Sequence, residues 1–177
     1  MQIFCQNHDF KAFLALLQQA KNKYPCKLYS YCLMNNHIHL ILEPSQKDNI
    51  SRFIQSLAGN YASYFNKIYS RTGTIWEGRF RCSEIRNERY FISCLHYIEN
   101  NPLRAKIVPS AELYPWSSFK VRAYGNNNPI VDLDTWYISL GETAETRQMV
   151  YKRIFALDRS DDYKLIRKQT KKNGVLD

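Results

Sequence analysis

What is missing narrows the field first. No apolar run approaches the roughly 20 residues that a helix needs to cross a bilayer, which excludes an integral membrane protein built on spanning helices. The opening MQIFCQNHDF has no basic stretch leading into an apolar one, so no secretory signal is read there. The five cysteines, Cys5, Cys26, Cys32, Cys82 and Cys94, are odd in number and contain no Cys-x-x-Cys pair. That pattern argues against a disulfide frame or a zinc ribbon and for reduced thiols in a cytoplasm. Internal repeats and low-complexity tracts are absent. Acidic residues are scarce: sixteen Asp and Glu face twenty-five Lys and Arg, for a formal charge of +9. A field of that sign favours polyanions, whether nucleic acid, an acidic membrane face or an acidic protein.

What is present is ordinary globular material, 45% apolar and 23% charged over 177 residues, which predicts about one domain with an appendage. The basic excess is uneven. Residues 1–125 hold sixteen basic and eight acidic side chains, and residues 126–177 hold nine and eight. The run Gly125-Asn126-Asn127-Asn128-Pro129 is a turn and linker signal, so a boundary is set there: a domain at 1–125 and a helical extension with a basic tail at 126–177. From Arg159 onward the chain is polar and lysine-rich with little to bury, and a frayed end is expected near 171–174.

Periodicity predicts the elements. Asp9 is placed as the cap of a helix whose Phe10, Phe13, Leu14, Leu17 and Ala20 fall at 3.6-residue spacing, ended by Pro25. Residues 28–34 (LYSYCLM) and 37–42 (HIHLIL) read as two strands joined by a tight turn at Asn35-Asn36. Caps between Ser45 and Asp48 open a long helix with one apolar stripe of Ile50, Phe53, Ile54, Leu57, Tyr61, Tyr64, Phe65 and Ile68. Residues 79–85 (RFRCSEI) are expected to form a short strand. Asn87 caps a third helix with core stripe Phe91, Cys94, Leu95 and Ile98, which Pro102 stops because the residue before proline resists the helical region. The order α-β-β-α-β-α suits an α+β two-layer sandwich, an antiparallel sheet with helices on one face.

Three constellations carry chemistry. On a strand, residues two apart share a face, so His37 and His39 project together while Ile38, Leu40 and Leu42 turn toward the helices. Two converging imidazoles can bind one divalent metal, though His-x-His also arises by chance on a half-exposed strand, and a third ligand must come from elsewhere. Tyr97 and Asn101 are four apart on the third helix and so neighbours on one flank of it, roughly 70–110° from the centre of its core stripe. They could set a phenolic and an amide oxygen at one point above the sheet. On spacing alone, a flanking tyrosine and a C-terminal asparagine cap is the stronger reading. His96, on the far side of the stripe, is expected at the surface. Finally, Arg71, Trp76, Arg79, Phe80, Arg81, Arg86 and Arg89 interleave cations with aromatics. Arginines hold phosphates and aromatic faces stack unpaired bases, but a solvated edge with core aromatics fits equally well.

At this point the residues resemble a family. Tyr31-Cys32-Leu33-Met34-Asn35-Asn36-His37-Ile38-His39-Leu40 is similar to the histidine motif of the single-tyrosine HUH transposases, in particular the REP-associated tyrosine transposases. The resemblance continues through Tyr64-Phe65-Asn66, Gly73, Trp76-Glu77-Gly78-Arg79-Phe80 and Glu88-Arg89-Tyr90. It is strongest at Tyr97-Ile98-Glu99-Asn100-Asn101-Pro102-Leu103-Arg104-Ala105 and runs on to Tyr114-Pro115-Trp116-Ser117-Ser118, about residues 2–125 in all. The His-x-His alone is weak; followed by Trp-x-x-Arg-Phe and then Tyr-x-x-x-Asn-Pro, in that order, it is specific.

The resemblance implies a metal-dependent enzyme that nicks single-stranded or hairpin DNA and transfers the strand through a 5′-phosphotyrosine. Tyr97 takes the catalytic position. His37, His39 and Asn101 take the ligand positions for Mg²⁺ or Mn²⁺. Arg71, Trp76, Arg79, Arg81 and Arg104 are the candidate DNA contacts. It also implies a ferredoxin-like sandwich, a monomer or homodimer without a membrane partner, and a cytoplasmic, nucleoid-associated location. Two departures are visible. The family's first strand, central in the sheet between the histidine strand and the strand near 79–85, would fall before Met1, so the sheet here is expected to lack it. Asn35 stands where proline is common. The competing readings are a relative that binds DNA hairpins and has lost the chemistry, and a metal-dependent hydrolase with a water nucleophile. The second is disfavoured because no carboxylate is set beside the histidines: Glu43 shares their face but lies about 13 Å along the strand from His39.

Overall fold

In a computed structural model of the chain, residues 1–46, 49–157 and 160–176 are described. The first helix, α1 (Asn7–Lys23), starts two residues ahead of the expected cap. Asp9 sits inside its first turn and still performs the capping chemistry. Its carboxylate accepts the backbone N–H groups of Cys5 (2.8 Å) and Gln6 (2.9 Å), donors that a helix start otherwise leaves unpaired. The hairpin follows as β1 (Cys26–Met34) and β2 (His37–Pro44), antiparallel, with Met34 opposite His37 and Cys32 opposite His39 across the two-residue turn. A register shift near Tyr29 switches the parity of β1. Leu28, Tyr31 and Leu33 therefore all enter one core cluster despite their spacing.

Helix α2 (Asn49–Ile68) lays Phe53, Leu57, Tyr61 and Phe65 on α1 and on the hairpin face carrying Ile38, Leu40 and Leu42. Of its expected caps, Lys47 and Asp48 lie outside the described residues. The opposite hairpin face, with Cys32, Met34 and Ile41, packs on α3 (Glu88–Glu99). The α+β class holds, with α1 and α2 on one face as expected. The third helix adds a layer on the other face, the one that bears the histidines.

Strand β3 is Glu84–Ile85 alone, shorter than the expected 79–85; residues 79–83 form no strand, and β3 does not join the hairpin. The free edge of β1 is taken by other segments. Leu33 donates its N–H to the Trp116 carbonyl (2.9 Å), Ser118 donates to the Tyr31 carbonyl (3.0 Å), and Asp132 donates to the Leu28 carbonyl (2.8 Å). A buried edge must have its backbone groups paired, and these segments satisfy it.

Pro102 does not end helical structure outright. After α3 closes at Glu99, a short helix α4 (Asn101–Arg104) begins, with Pro102 in its first turn, where a missing N–H costs nothing. A 3-10 turn at Ala111–Leu113 leads to α5 (Phe119–Tyr124), α6 (Thr135–Ser139), α7 (Ala144–Phe155), α8 (Ser160–Lys172) and β4 (Val175–Leu176). The described part of 126–177 is mostly helical, and it is built into the body: Ile130 enters the first cluster, and Trp136, Tyr151, Tyr163 and Ile166 enter the second. Residues 171–174 are not frayed: they run from the last turn of α8 to β4. β4 pairs in parallel with β3, and Leu176 is 2% exposed. Arg159 lies outside the described residues.

Polar groups fasten the two layers. Glu99, fully buried on α3, accepts hydrogen bonds from Ser118 Oγ (2.7 Å) and Ser30 Oγ (3.1 Å) at one oxygen and from the Tyr151 hydroxyl (2.6 Å) at the other. Arg122, also fully buried, pairs with Asp134 at 2.6 Å and donates to the Tyr29 carbonyl at 2.6 Å. β1, α3, α5, α6 and α7 are thereby tied to one another.

Candidate active site

The tight turn puts both imidazoles at the start of β2 on the α3 side, their ring centroids 4.9 Å apart and edge to face. Tyr97, on the flank of α3, sets its ring edge to face against His39 at 5.6 Å. The fold thus brings His37, His39 and Tyr97 together. Asn101 is buried at the first position of α4, one step beyond the break after α3. Among the described residues, no hydrogen bond joins it to either histidine.

The surroundings of both histidines favour the neutral imidazole. Burial first, then the positive fields of His37, Arg104 and Arg167, push the His39 imidazole down to about 3, and burial lowers His37 as well. The His37 Nδ1–H donates to Asn36 Oδ1 at 2.7 Å, which fixes the tautomer and leaves the Nε2 lone pair pointing away from the turn. His39 Nε2 is buried and has no hydrogen-bond partner among the described residues. A divalent metal needs neutral imidazoles with an unspent lone pair, and this pair meets that requirement. Among the described residues there is no cluster of three or more His, Cys, Asp or Glu side chains for a metal, so a third protein donor here would be an amide. Glu43 is engaged elsewhere, accepting from the Tyr29 hydroxyl and lying 3.7 Å from Lys27 Nζ.

Two cations complete the surroundings of Tyr97: Arg104, one of the candidate DNA contacts, and Arg167, which the sequence did not single out. The Arg104 guanidinium lies 4.9 Å from the centre of the Tyr97 ring and 4.4 Å from that of Tyr163. Arg167, from α8, donates Nε–H to the Tyr97 hydroxyl at 3.4 Å. Tyr163 stacks edge to face on Tyr97 at 5.3 Å and donates its hydroxyl to His96 Nδ1, while His96 Nε2–H bonds to the Phe155 carbonyl at 2.7 Å. The expectation of an exposed His96 is therefore corrected. α3 has the sheet on one side and α7 with α8 on the other, so its outer face is also interior, at 5% exposure. The available signal was the Tyr163/Ile166 spacing, three apart on one helix face.

The remaining candidates are spread out. Arg79 and Arg81 are exposed on the segment before β3. Arg71 is exposed too, with its guanidinium 5.9 Å from the Phe65 ring. Trp76 packs half-buried on the first cluster and donates its indole N–H to the Ala58 carbonyl at 3.0 Å. Tyr90, the nearest rival to Tyr97, packs against the second cluster with Arg89 5.7 Å from its ring.

The sequence match and the fold place the chain in a class, the transposases. More particularly, the chain belongs to the family described as Transposase IS200 like, whose model matches residues 2–101. A protein of Haemophilus influenzae strain Rd described as a REP-associated tyrosine transposase is 30% identical over 118 residues, which cover 60% of this chain and 66% of that protein. A solved structure of a REP-associated tyrosine transposase bound to a REP hairpin superposes with a TM-score of 0.58 at 20% identity, over 72% of this chain and 76% of the other. That likeness establishes the fold.

Proposed function

We propose that this chain cleaves and rejoins single-stranded DNA at imperfect hairpins of the REP kind, through a covalent 5′-phosphotyrosine on Tyr97. The observation that carries the reading is the contact of Tyr97 with His39, two residues remote in sequence that the fold sets edge to face at 5.6 Å. His37, His39 and Asn101 would hold Mg²⁺ or Mn²⁺, which when bound supplies polarisation of the scissile phosphate and neutralises charge developing on it. Tyr97 does the covalent work: its oxygen attacks phosphorus, the P–O3′ bond breaks, and a free 3′-OH leaves. The new ester keeps the energy of the old one, so strand transfer needs no nucleotide cofactor. An ordinary phenol has a pKa near 10, so the proton leaves as attack proceeds. The +9 charge and the exposed Arg71, Arg79 and Arg81 supply sequence-independent affinity for the DNA backbone.

The test is incubation of the full chain with a hairpin-bearing single-stranded oligonucleotide and Mn²⁺, followed by denaturing electrophoresis. A protein–DNA adduct that survives denaturation is the expected result. Hairpin binding without any adduct would leave a binding protein in place of an enzyme. Equal or tighter binding to fully paired duplex at matched salt would overturn the substrate assignment.

A further inference from the structure

Tyr97 is bracketed by guanidinium groups that have no counter-charge among the described residues. Some other cations of the fold are matched: Lys21 meets Asp132 at 2.6 Å, Arg122 meets Asp134, and Arg89 meets Asp162 at 3.3 Å. Arg104 and Arg167 form no ion pair with any carboxylate among the described residues. Arg104 Nη1 is in addition buried without a hydrogen-bond partner, an arrangement that is costly unless an acceptor arrives. Both guanidiniums pack on the Tyr97 ring, at 4.9 and 5.9 Å from its centre, and Arg167 Nε–H points at the hydroxyl itself. The Tyr97 ring is only partly buried and Arg167 is exposed, so a ligand can reach both. A planar guanidinium presents paired N–H donors at the spacing of two phosphate oxygens.

We propose that Arg104 and Arg167 form a clamp for one phosphodiester of single-stranded DNA, the scissile one, and that the active site is therefore completed by the C-terminal helix, beyond the residues 2–101 that the family model matches. The proposal rests on Tyr97 as the nucleophile. In the step, the Tyr97 Oη–P bond forms and the P–O3′ bond breaks. The phenolic proton passes to solvent, the departing O3′ takes a proton from solvent, and both guanidiniums stay protonated throughout. Their N–H groups face the non-bridging oxygens, where charge grows in the transition state, and Arg167 also stabilises the phenolic oxygen as it loses its proton.

The experiment compares the unaltered full chain with Arg167→Gln and Arg167→Lys on a hairpin oligonucleotide in Mn²⁺. Arg167→Gln is expected to slow single-turnover adduct formation by about tenfold to a hundredfold. Hairpin Kd should change less than about threefold, since one phosphate contact among several is lost. Arg167→Lys should recover part of the rate, keeping the charge without the fork. On an oligonucleotide with a neutral methylphosphonate at the cleavage position, the difference between unaltered chain and Arg167→Gln should shrink. A rate in Arg167→Gln equal to or faster than the unaltered chain overturns the clamp, because Arg167 would then be idle or a shield over the hydroxyl. If the unaltered chain forms no adduct with any hairpin, the assignment of Tyr97 fails. The clamp is then judged on inorganic phosphate alone. A phosphate-induced rise in Tm at matched ionic strength that disappears in Arg104→Lys/Arg167→Gln upholds an anion site; the same rise in both proteins removes it.

Discussion

Glu99→Gln isolates one charge at the point where the tyrosine helix is fastened. The carboxylate accepts three hydrogen bonds, from Ser118, Ser30 and Tyr151 at 2.7, 3.1 and 2.6 Å, with Arg122 at 3.9 Å and no exposed surface on either charge. Burial and the Glu99 charge both hold the Tyr151 hydroxyl protonated, so it serves as a donor. The amide keeps the shape but has one acceptor oxygen where the carboxylate had two. If that oxygen stays with the serines, an N–H₂ group faces the Tyr151 O–H, and a donor meets a donor. A hydrogen bond to a charged group contributes about 1.5–3 kcal/mol, and Arg122 additionally loses one of its two carboxylate neighbours while keeping Asp134. The expected cost is about 2–4 kcal/mol, a large share of the roughly 5–15 kcal/mol of a whole domain. In urea at neutral pH, with a slope of about 2–3 kcal/mol per molar, the midpoint should fall by about 1 M at unchanged slope. Tyr151→Phe measured alone and with Glu99→Gln should be non-additive by at least about 1 kcal/mol. A midpoint shift below about 0.3 M would show that the network relaxes without loss and would refute this reasoning.

Tyr97→Phe removes one oxygen and little volume, so stability should stay within about 1 kcal/mol while adduct disappears and hairpin binding persists; adduct from this variant would transfer the role to Tyr90. His37→Ala/His39→Ala, and separately a chelator added to the unaltered chain, should abolish cleavage with most DNA affinity retained, read by electrophoresis and by fluorescence anisotropy. Unchanged cleavage in either arm would remove the metal site. Burial raises Asp9, but the bonds from Tyr69, the backbone of Gln6 and Cys5, and Tyr64 outweigh it, so its folded pKa lies below the ordinary 3.8. A depressed carboxylate contributes stability that is present above its unfolded pKa and is lost as pH falls through the folded one. Asp9→Asn should therefore cost about 2 kcal/mol at neutral pH and flatten the acid limb of the stability curve below about pH 4. An identical acid limb in the two proteins would show that Asp9 does not carry it.

Much of the hairpin and its flanking helices was legible in the chain, because local rules decide them. Asn35-Asn36 sets a two-residue turn, the alternation of His37 and His39 with Ile38, Leu40 and Leu42 sets which side faces α1 and α2, and the Phe53-Leu57-Tyr61-Phe65 stripe sets the buried face of α2. The same periodicity put Tyr97 on the flank of α3, where it meets His39. What the sequence by itself could not determine is which distant segment answers each unpaired group. The edge of β1 is closed by residues 116–118 and Asp132, and Glu84–Ile85 pairs with Val175–Leu176, choices made only when backbone donors compete for acceptors in three dimensions. His96 looks like a surface residue as long as α3 is given one buried face, and it becomes interior when Tyr163 and Phe155 arrive from far along the chain. Arg167 is one lysine-rich helix residue among many until packing of Tyr163 and Ile166 turns α8 so that its guanidinium reaches the Tyr97 hydroxyl. Patterns within a few turns of chain encode elements and faces; a site assembled from α3, α4, α8 and β2 depends on contacts between segments tens of residues apart, which no local spacing records.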